Sequence, residues 1–376
     1  MSRRRTLVTG FPSSFLARRV VQKLLAAEPS TRITCVVQAK FQARAEQALG
    51  ALGDAERKRV DLLEGDIAAM DLGLSGREFR ALAQEVDVIH HCAAVTYLGA
   101  DRRAAERVNV GGTREVVELA EAATSLSRLV HWSTALVSGA RRGYVLESEL
   151  LAPAGFRNAI EETRFRAERI VQEAGARVPA TVLRPATIVG DSRTGEIDRF
   201  EGPYLLVQLL LSAPSDLRLP LPGRGDVPLN LVPVDYAVDA GCAIARDPRS
   251  VGRTFHLVDP HPLTTRAVFE RLAHEAGRPS PRGSVPTRVA AALLRAPGLD
   301  RLAQAPRAFL EQLGTEVVYD ARNTEELLAR TGIACPPFEQ YVATLVDAVR
   351  RQQAARRAQV ASELESVTEH DDPLEA

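Results

Sequence analysis

The stretch VTGFPSSFLARRVV, residues 8–21, begins with an apolar run, turns at a glycine and two serines, and continues with apolar residues at helical spacing. This pattern predicts a strand over 6–10 that leads through a tight turn into a helix over 15–27. A helix that begins near Ser14 offers free backbone N–H groups and a positive dipole end to an anion. A strand, a turn and a helix in this order are typical of the first unit of an α/β fold.

The same alternation continues along the first two thirds of the chain. We predict further strands at residues 33–37, 60–66, 86–94, 128–134 and 180–185, with helices between them. Strands that are apolar on both faces and alternate with helices indicate a parallel sheet covered by helices on both sides. The predicted fold class is therefore α/β, with a Rossmann-type doubly wound parallel sheet in residues 1–260.

The rhythm of the sequence changes after Val189. The polar GDSRTGEIDRFEGP (190–203) and the Pro- and Gly-rich LPLPGRGDVPLNLVP (219–233) predict a substrate-side insertion at about 191–232. Helices dominate after Leu263, so we expect a smaller, mostly helical C-terminal substrate lobe over 261–348. The end of the chain passes from RRQQAARRAQ to ELESVTEHDDPLEA, which predicts a fraying helix followed by an acidic, disordered segment, together a charged tail over 349–376.

Composition excludes several classes of protein. The 376 residues are 45% hydrophobic and include 48 basic and 48 acidic residues, which gives no general attraction to nucleic acid or anionic membranes. No segment reaches the roughly 20 apolar residues that span a bilayer. The cysteines, at 35, 92, 242 and 335, lie far apart and form no metal-binding pair. We therefore expect a cytoplasmic protein with reduced, buried thiols, no metal site and no nucleic-acid partner.

The turn after the first strand is the predicted dinucleotide site, because in a doubly wound sheet it usually receives the pyrophosphate. Gly10 can adopt the angles of this turn, whereas serines and Ala17 stand where further glycines are usual. The predicted contacts here are Thr9, Gly10, Pro12, Ser13, Ser14 and Phe15. The alternative is a serine-capped helix start that binds nothing.

The residues after the second strand bear on the choice of dinucleotide. An acidic residue there holds the ribose hydroxyls of NAD, whereas a cation favours the 2′-phosphate of NADP. This chain has Gln38 and Lys40 and no carboxylate, which favours NADP(H) over NAD(H). Asp66, at the end of the third strand, is either an adenine contact or a simple turn residue.

Eight stretches carry a resemblance to a known family: VTGFPSSFLA, LLEGDI, DLGLS, VDVIHHCAAVTY, VNVGGT, HWSTALVSG, LRPATIVGDSRTGEI and LVPVDYAVDA. In this order they resemble the extended short-chain dehydrogenase/reductases, especially the fatty acyl-CoA and thioester reductase branch, over residues 5–345. The resemblance implies an NAD(P)H-binding Rossmann domain whose smaller lobe closes over an acyl substrate. It also implies cofactor contacts at Ile67, Ala93, Ala94, Pro185 and Ile188.

The same resemblance implies a catalytic centre with a tyrosine four residues before a lysine on one helical face, beside a serine or threonine hydroxyl. The hydroxyl corresponds to Thr134. In NAIEETRFRAERIVQ (158–172) Ile160 replaces the tyrosine and Arg164 the lysine, within an otherwise apolar helical stripe. Arg164 can bind ribose or phosphate, but a guanidinium does not share protons at neutral pH. A relocated proton donor would be water, Tyr97, Tyr144 or His91.

Other matches to the family concern structure more than chemistry. Asn109 precedes two glycines whose simplest explanation is close packing against the sheet. Arg184 and Pro185 match an Arg-Pro pair near the nicotinamide, and Asp235 and Tyr236 mark a return to the core sheet. By analogy with the fold, the helices carrying Asn109 and Arg164 would form a homodimer contact.

Three functions fit these observations. The first is an NAD(P)-dependent oxidoreductase that reduces an acyl thioester or aldehyde carbonyl with a degenerate YxxxK site. The second is a catalytically silent member of the same fold, kept as a nucleotide sensor or scaffold. The third is a nucleotide-sugar epimerase or dehydratase, which the missing tyrosine disfavours equally.

Overall fold

The computed structural model describes residues 4–97, 100–286, 289–290, 309–310, 313–314 and 316–368. Its strands are β1 (Arg5–Thr9), β2 (Arg32–Val37), β3 (Val60–Glu64), β4 (Val88–His91), β5 (Arg128–Trp132), β6 (Gly143–Val145), β7 (Ala180–Pro185), β8 (Thr187–Val189), β9 (Leu221–Pro222), β10 (Leu231–Pro233), β11 (Thr254–Leu257), β12 (Ser284–Val285) and β13 (Val317–Tyr319).

The α-helices of the same residues are α1 (Phe15–Ala27), α2 (Gln42–Gly50), α3 (Asp54–Arg57), α4 (Gly76–Glu85), α5 (Arg102–Ala105), α6 (Gly112–Ala122), α7 (Ala159–Glu173), α8 (Pro203–Ser212), α9 (Val234–Arg246), α10 (Thr265–Glu275), α11 (Arg322–Leu328) and α12 (Val342–Thr368). A π-helical turn, Glu106–Gly111, joins α5 to α6.

Seven strands form one parallel sheet in the order β3-β2-β1-β4-β5-β7-β11. The chain builds outward from β1 in one direction and then, through β4, in the other, which is the doubly wound arrangement. The predicted α/β Rossmann-type fold class is therefore confirmed. The reversal places a crevice at the carboxyl ends of β1 and β4, where ligands bind in such sheets.

Strand ends differ from the predicted ones where the chain enters this crevice. The strand predicted over 86–94 ends at His91, and the strand predicted over 128–134 ends at Trp132. After β4 the apolar Cys92, Ala93 and Ala94 continue, which extended the predicted strand into a segment that lines the crevice. After β5 the chain continues with the polar Ser133 and Thr134, and the Ser133 amide still donates a hydrogen bond to the Leu183 carbonyl of β7 at 2.7 Å.

The two faces of the sheet carry separate apolar cores. Helices α1 and α9 pack against each other over one face, where Val20, Leu24 and Val238 are buried. Helices α4, α6 and α7 contribute to the core of the other face, with Leu82, Val116 and others buried. Such two-sided burial explains why the strands are apolar on both faces.

The third apolar core lies away from the sheet. It joins α8, α10 and α12 through residues such as Leu210, Phe269 and Leu345. This core corresponds to the predicted insertion and C-terminal lobe, with one difference from the predicted division at residue 260. Residues 317–333 return to the sheet domain, because β13 pairs with β6 and Leu327 is buried in the α1/α9 core.

The helix predicted at the end of the chain is longer than expected. α12 continues to Thr368 and so takes in much of the tail predicted over 349–376, while residues 369–376 lie outside the described residues. Val342, Leu345, Val346 and Val349 anchor its first turns in the third core. The following alanines, glutamines and arginines are strong helix formers, so the helix continues although most described side chains after Val349 are exposed.

Asp235 and Tyr236 do mark a return to the core sheet, through a helix and not a strand. They lie in the first turn of α9, which packs with α1 over one face of the sheet, and Tyr236 is buried in that core. The preceding β10 pairs with β8 outside the seven-stranded sheet. Close packing was predicted for the two glycines that follow Asn109. It is found at Gly112, where an added Cβ would lie 2.8 Å from the side chain of Ile67, in the segment after β3. An added Cβ at Gly111 would meet nothing within 4 Å. The homodimer through this region stays a prediction.

The cysteine prediction holds in part. All four cysteines are free, and Cys35, Cys92 and Cys242 are buried. Cys335 is only half-buried, because it lies in the extended segment before α12. No helix among the described residues is both long enough and apolar enough to cross a membrane.

Candidate active site

A cleft of about 710 Å³ lies at the carboxyl ends of β1, β4, β5 and β7. Its opposite wall includes the end of the segment 190–203, which we call the covering segment, and Phe309. The crevice predicted by the strand order and the cleft in the structure are therefore the same place.

Gly10 allows the chain to turn across the end of β4. Its φ is +92°, and an added Cβ would lie 2.9 Å from backbone atoms of Ala93. Ser14 then caps α1, because its hydroxyl accepts a hydrogen bond from the Ala17 amide at 3.2 Å. The described residues offer no acceptor to the amides of Phe15 and Leu16, which line the cleft. The helix start is thus capped and still has donors for an anion.

Most of the predicted cofactor residues lie together. Those that line the cleft are Gly10, Ser13, Ser14, Phe15, Gln38, Lys40, Asp66, Ile67, Ala93, Ala94, Arg164, Pro185 and Ile188. Thr9 and Pro12 are not among the residues that line it, so their cofactor contacts stay predictions. The buried Thr9 hydroxyl accepts a hydrogen bond from the Ala93 amide at 3.2 Å, and the Pro12 carbonyl accepts one from Arg18 at 2.9 Å. Through these hydrogen bonds Thr9 joins the turn to the end of β4, and Pro12 joins it to α1.

The far end of the cleft carries the predicted adenosine contacts. Lys40 is exposed there, with its ammonium 5.0 Å from the centre of the Phe41 ring. Asp66 lines the cleft and also accepts a hydrogen bond from the Ala68 amide at 3.0 Å. Its two interpretations, turn residue and ligand contact, are therefore compatible.

Helix α7 directs its apolar stripe and its arginine inward. The Asn158 side chain caps the helix by accepting a hydrogen bond from the Glu161 amide at 3.0 Å. Ile160 is 8% exposed and Arg164 5% exposed, and both line the cleft. Arg164 therefore does not extend to the surrounding solvent. It donates a hydrogen bond to the carbonyl oxygen of Trp132, at the end of β5.

The guanidinium of Arg164 is buried but remains charged. Burial lowers its pKa to about 10, against the opposing effect of the Glu168 carboxylate, so the guanidinium stays charged at neutral pH. The Trp132 carbonyl is its one hydrogen-bond acceptor among the described residues. A buried cation with N–H groups to spare suits a ligand that brings oxygen atoms, such as a ribose, a phosphate or a carbonyl group.

Thr134 and Ser133 follow β5 into the cleft. The Thr134 hydroxyl accepts a hydrogen bond from the Leu136 amide at 3.3 Å and donates a long one, 3.4 Å, to the Pro185 carbonyl. The Ser133 hydroxyl donates a short bond, 2.5 Å, to the buried Glu168 carboxylate. Of the two hydroxyls, Thr134 is the one whose hydrogen can be redirected to a ligand at small cost.

The candidate proton donors are placed very differently. Tyr97 lines the cleft, with the Arg199 guanidinium 5.6 Å from its ring centre, whereas Tyr144 is 65% exposed and lies elsewhere. His91 is buried outside the cleft wall. Its ring nitrogens hydrogen-bond to Thr9 and Thr113 hydroxyls, at 2.8 and 2.9 Å. Burial lowers the pKa of His91 to about 3, so it carries no acidic proton at neutral pH.

Arg184 has a different place from the predicted one. It is fully buried and grips Glu168 with hydrogen bonds from Nε, at 3.0 and 3.1 Å, and from Nη2, at 2.5 Å. It does not line the cleft, although its neighbour Pro185 does. Residues 184 and 185 alternate across the strand, so their side chains face opposite sides of the sheet.

Two features were missed in the sequence. Glu168 lies one helical turn after Arg164, a spacing that could have indicated a shared environment. The covering segment also brings Asp198, Arg199 and Glu201 to the cleft. Its polar character is visible in the sequence, but which of its residues would meet the cleft is not.

The fold and the cleft together define a class: this is an extended short-chain dehydrogenase/reductase, built around an NAD(P)-binding Rossmann sheet. The family within that class follows from comparison with known proteins. Residues 8–241 match the model of the NAD-binding family described as male sterility protein. The chain belongs to this family.

Curated relatives carry reductase names. The chain is 30% identical to glycine betaine reductase ATRR of Emericella nidulans over 71% of its own length and 22% of that protein. The chain is also 27% identical to fatty acyl-CoA reductase wat of Drosophila melanogaster, in a match that covers 62% of this chain and 53% of that protein. The chain thus spans about half, or less, of these relatives.

Solved structures extend the likeness to the whole chain. The terminal R domain from the myxalamid PKS-NRPS pathway is 27% identical and superimposes with a TM-score of 0.79, covering 94% of this chain and 92% of that one. A reductase domain of a nonribosomal peptide synthetase from Mycobacterium tuberculosis superimposes with a TM-score of 0.70 at 21% identity, over 94% and 92% of the two chains. The second likeness concerns the fold alone.

Proposed function

We propose that this protein is an NAD(P)-dependent oxidoreductase that reduces the carbonyl group of an acyl thioester or an aldehyde. The observation that carries the proposal is the buried, charged Arg164, which lines the same cleft as the uncovered N–H groups at the start of α1. When bound, a reduced nicotinamide supplies a hydride. The protein's own residues must bind the dinucleotide, orient the carbonyl group and stabilise the negative charge that forms.

The cofactor would lie along the carboxyl ends of the strands. The amides of Phe15 and Leu16 suit a pyrophosphate, because a helix N-terminus attracts anions. Gly10 makes this turn possible, since its φ is +92° and any side chain there would collide with the Ala93 backbone. Lys40 would accept the 2′-phosphate, which makes NADP(H) the better cofactor, and Arg164 would hold the nicotinamide ribose.

The substrate would enter under the covering segment. Thr134 would donate its hydroxyl hydrogen to the carbonyl oxygen, in place of its long bond to Pro185. The name of the Drosophila relative, a fatty acyl-CoA reductase, supports an acyl thioester as the substrate class, because acyl-CoA is a thioester. Apolar groups of Ile160, Ile197 and Phe309 line this part of the cleft and suit an acyl chain.

The first experiment is calorimetric titration with NADPH, NADP, NADH and NAD. We expect binding that favours the phosphorylated forms, and a loss of this preference in Lys40→Ala. Arg164→Met should weaken binding roughly 10- to 100-fold, since a hydrogen bond to a charged group contributes about 1.5–3 kcal/mol. Arg169→Met is the matched control, because Arg169 lies on the same helix but its side chain is 59% exposed.

The outcomes separate the alternatives. Binding without turnover of acyl thioesters or aldehydes would favour the catalytically silent sensor, which Ile160 at the position of a proton donor supports. Absence of binding by all four dinucleotides would contradict the oxidoreductase and leave a serine-capped helix. Equal effects of Arg164→Met and Arg169→Met would remove Arg164 from the cofactor site.

A further inference from the structure

The part of the cleft around Thr134 combines a fixed cation with an apolar neighbour. Arg164 and Ile160 lie one helical turn apart and both line the cleft, 5% and 8% exposed. The Trp132 carbonyl takes one N–H group of Arg164. Of the N–H groups that remain, some would hold the nicotinamide ribose and another can attract a negatively charged substrate oxygen. Ile160 has no proton to give to it.

We propose that this site stabilises the oxyanion of a reduced thioester without protonating it, so that the protein performs a two-electron reduction and releases an aldehyde and a thiol. This inference rests on the proposed function. It names the substrate as a thioester and the product as an aldehyde, and it excludes the alcohol.

The chemistry of the thioester needs no acid at the oxygen. Hydride addition to the carbonyl carbon gives a tetrahedral oxyanion that still carries the sulfur. The oxygen electrons then re-form the carbonyl, the carbon–sulfur bond breaks, and the thiolate leaves. A thiol pKa near 8.5 lets it leave unprotonated and take its proton from water. In sum, thioester, reduced nicotinamide and one proton give aldehyde, thiol and oxidised nicotinamide.

The aldehyde presents a different requirement. Hydride addition gives a primary alkoxide with no group to expel. Its conjugate acid, a primary alcohol, is about as weak an acid as water, so the alkoxide is a strong base. Without a proton the alkoxide returns its hydride, so reduction of the aldehyde depends on a donor within reach. Ile160 provides none, and a guanidinium keeps its protons.

Other ionisable groups face the cleft and must be weighed. Burial raises the pKa of Glu161, but both of its carboxylate oxygens already accept hydrogen bonds: from the Arg157 guanidinium at 2.8 Å, the Arg157 amide at 3.0 Å and the Asn158 side chain. Burial raises the pKa of the Cys92 thiol well above its usual range. The charged residues at the two ends of the cleft are Lys40, Asp66, Arg107, Asp198 and Arg199.

Two groups remain as competitors to this inference. Tyr97 lies under the Arg199 guanidinium. Burial raises the pKa of Glu201, whose carboxylate is 4.0 Å from Arg199. Both lie near the covering segment rather than on α7, so they are tested directly by Tyr97→Phe and Glu201→Gln.

The test compares two substrates with reduced dinucleotide in excess: octanoyl-CoA and octanal. We expect octanal and free CoA in equal amounts from the thioester, and octanal reduction at least 10-fold slower. Ile160→Tyr should raise octanal reduction by 10-fold or more, because a positioned acid contributes roughly 10²- to 10⁴-fold. Tyr97→Phe, with Tyr144→Phe as matched control, and Glu201→Gln should leave the ratio of octanal reduction to thioester reduction unchanged.

A binding measurement tests the same site without turnover. With oxidised dinucleotide present, octanoate imitates the oxyanion and octanamide is its neutral counterpart. We expect octanoate to bind about 10-fold more tightly, since charge-assisted hydrogen bonds are the stronger ones. Arg164→Met should remove this preference, and Arg169→Met should keep it.

The results separate the inference from the proposed function. Octanal reduction as fast as thioester reduction would overturn the inference alone, and its loss in Tyr97→Phe or Glu201→Gln would identify the acid. Equal binding of octanoate and octanamide would overturn the oxyanion site. No thioester reduction, despite dinucleotide binding, would contradict the proposed function and the inference with it.

Discussion

At the scale of the residue, the buried polar groups behind the cleft form one connected system. Ser133 donates to Glu168, Arg184 grips the same carboxylate, and Arg184 Nη1 also donates to His256 Nε2 at 3.2 Å. His256 in turn donates from Nδ1 to the Asp320 carbonyl at 2.6 Å. The system joins β5, β7 and α7, and so holds the elements that carry Thr134 and Arg164.

Arg184→Met should destabilise the protein by about 3–5 kcal/mol, because removing one partner of a buried ion pair leaves the other charge buried and unpaired. Chemical denaturation, followed by circular dichroism, measures this change. Arg169→Met is the control, since the ion pair of Arg169 with Glu173 is exposed and such pairs contribute little. A loss under 1 kcal/mol in Arg184→Met would show that the buried pair is not needed for stability.

The proposed role of Thr134 also belongs to this scale. Thr134→Val keeps the shape and removes the hydroxyl, so kcat for thioester reduction should fall roughly 100-fold, as when one donor to a developing oxyanion is lost. KM should change little if the bond forms mainly in the transition state. Thr134→Ser should retain most of the activity. Equal losses in both variants would point to packing instead.

At the scale of the element, the first strand, turn and helix were predictable. The helix predicted over 15–27 is α1 itself, because its buried residues recur at helical spacing and Ser14 gives a clear start. The Arg164 stripe was equally legible, since Ala167 and Val171 are buried on the same face. Strand ends at the crevice were less predictable, because apolar residues there line a cleft instead of pairing.

The turn gives a prediction for Gly10. Gly10→Ala should destabilise the protein by about 2–4 kcal/mol, because a positive φ disfavours alanine by about 1 kcal/mol and overlap with Ala93 adds to it. Gly252→Ala is the matched control. Its φ is +73°, but an added Cβ there meets nothing within 4 Å, so Gly252→Ala should show only the cost of placing alanine at a positive φ. Equal melting temperatures for the two variants would contradict the close approach.

At the scale of the whole molecule, the central sheet and its flanking helices bury most of the histidines of the chain. Four of the seven histidines, His90, His91, His131 and His256, are at most 2% exposed. Burial lowers the pKa of His90 to about 4, of His91 and His256 to about 3, and of His131 well below its usual value. All four are therefore neutral in the folded protein at neutral pH.

These histidines predict loss of stability in acid. Below about pH 6.5 these histidines become protonated in the unfolded chain but stay neutral in the folded protein. The free energy of unfolding therefore decreases as the pH is lowered from about 6.5 to about 3. Each histidine contributes up to ~1.4 kcal/mol per pH unit. Burial raises the pKa of Glu147 and Glu161, which acts in the opposite direction as they protonate. Denaturant titrations between pH 8 and pH 5 measure the slope.

His131→Phe isolates one contribution. Neither ring nitrogen of His131 has a hydrogen-bond partner among the described residues. The variant should therefore be more stable by about 1 kcal/mol at pH 7, and its stability should depend less on pH. His274→Phe, at an exposed position, is the control. A destabilised His131→Phe with an unchanged pH slope would show that the ring is held by contacts other than those described.

The sequence by itself determined the local elements and the class of fold. Helical and strand spacings depend on residues a few positions apart, so α1, α7 and the alternation that makes a parallel sheet could be read directly. The turn after the first strand indicated Gly10, the resemblance then indicated Thr134 and Arg164, and all three line the cleft.

Only the tertiary structure decided which side chains meet. Thr134 and Arg164 come from different elements that the crossovers bring to one edge of the sheet, whereas Arg184 is turned away to a buried partner on α7. The Thr9 hydroxyl is likewise hydrogen-bonded to His91. These contacts depend on packing between distant segments. The spacing of residues within one helix or strand does not determine this packing, because the same spacing is compatible with many different neighbouring segments.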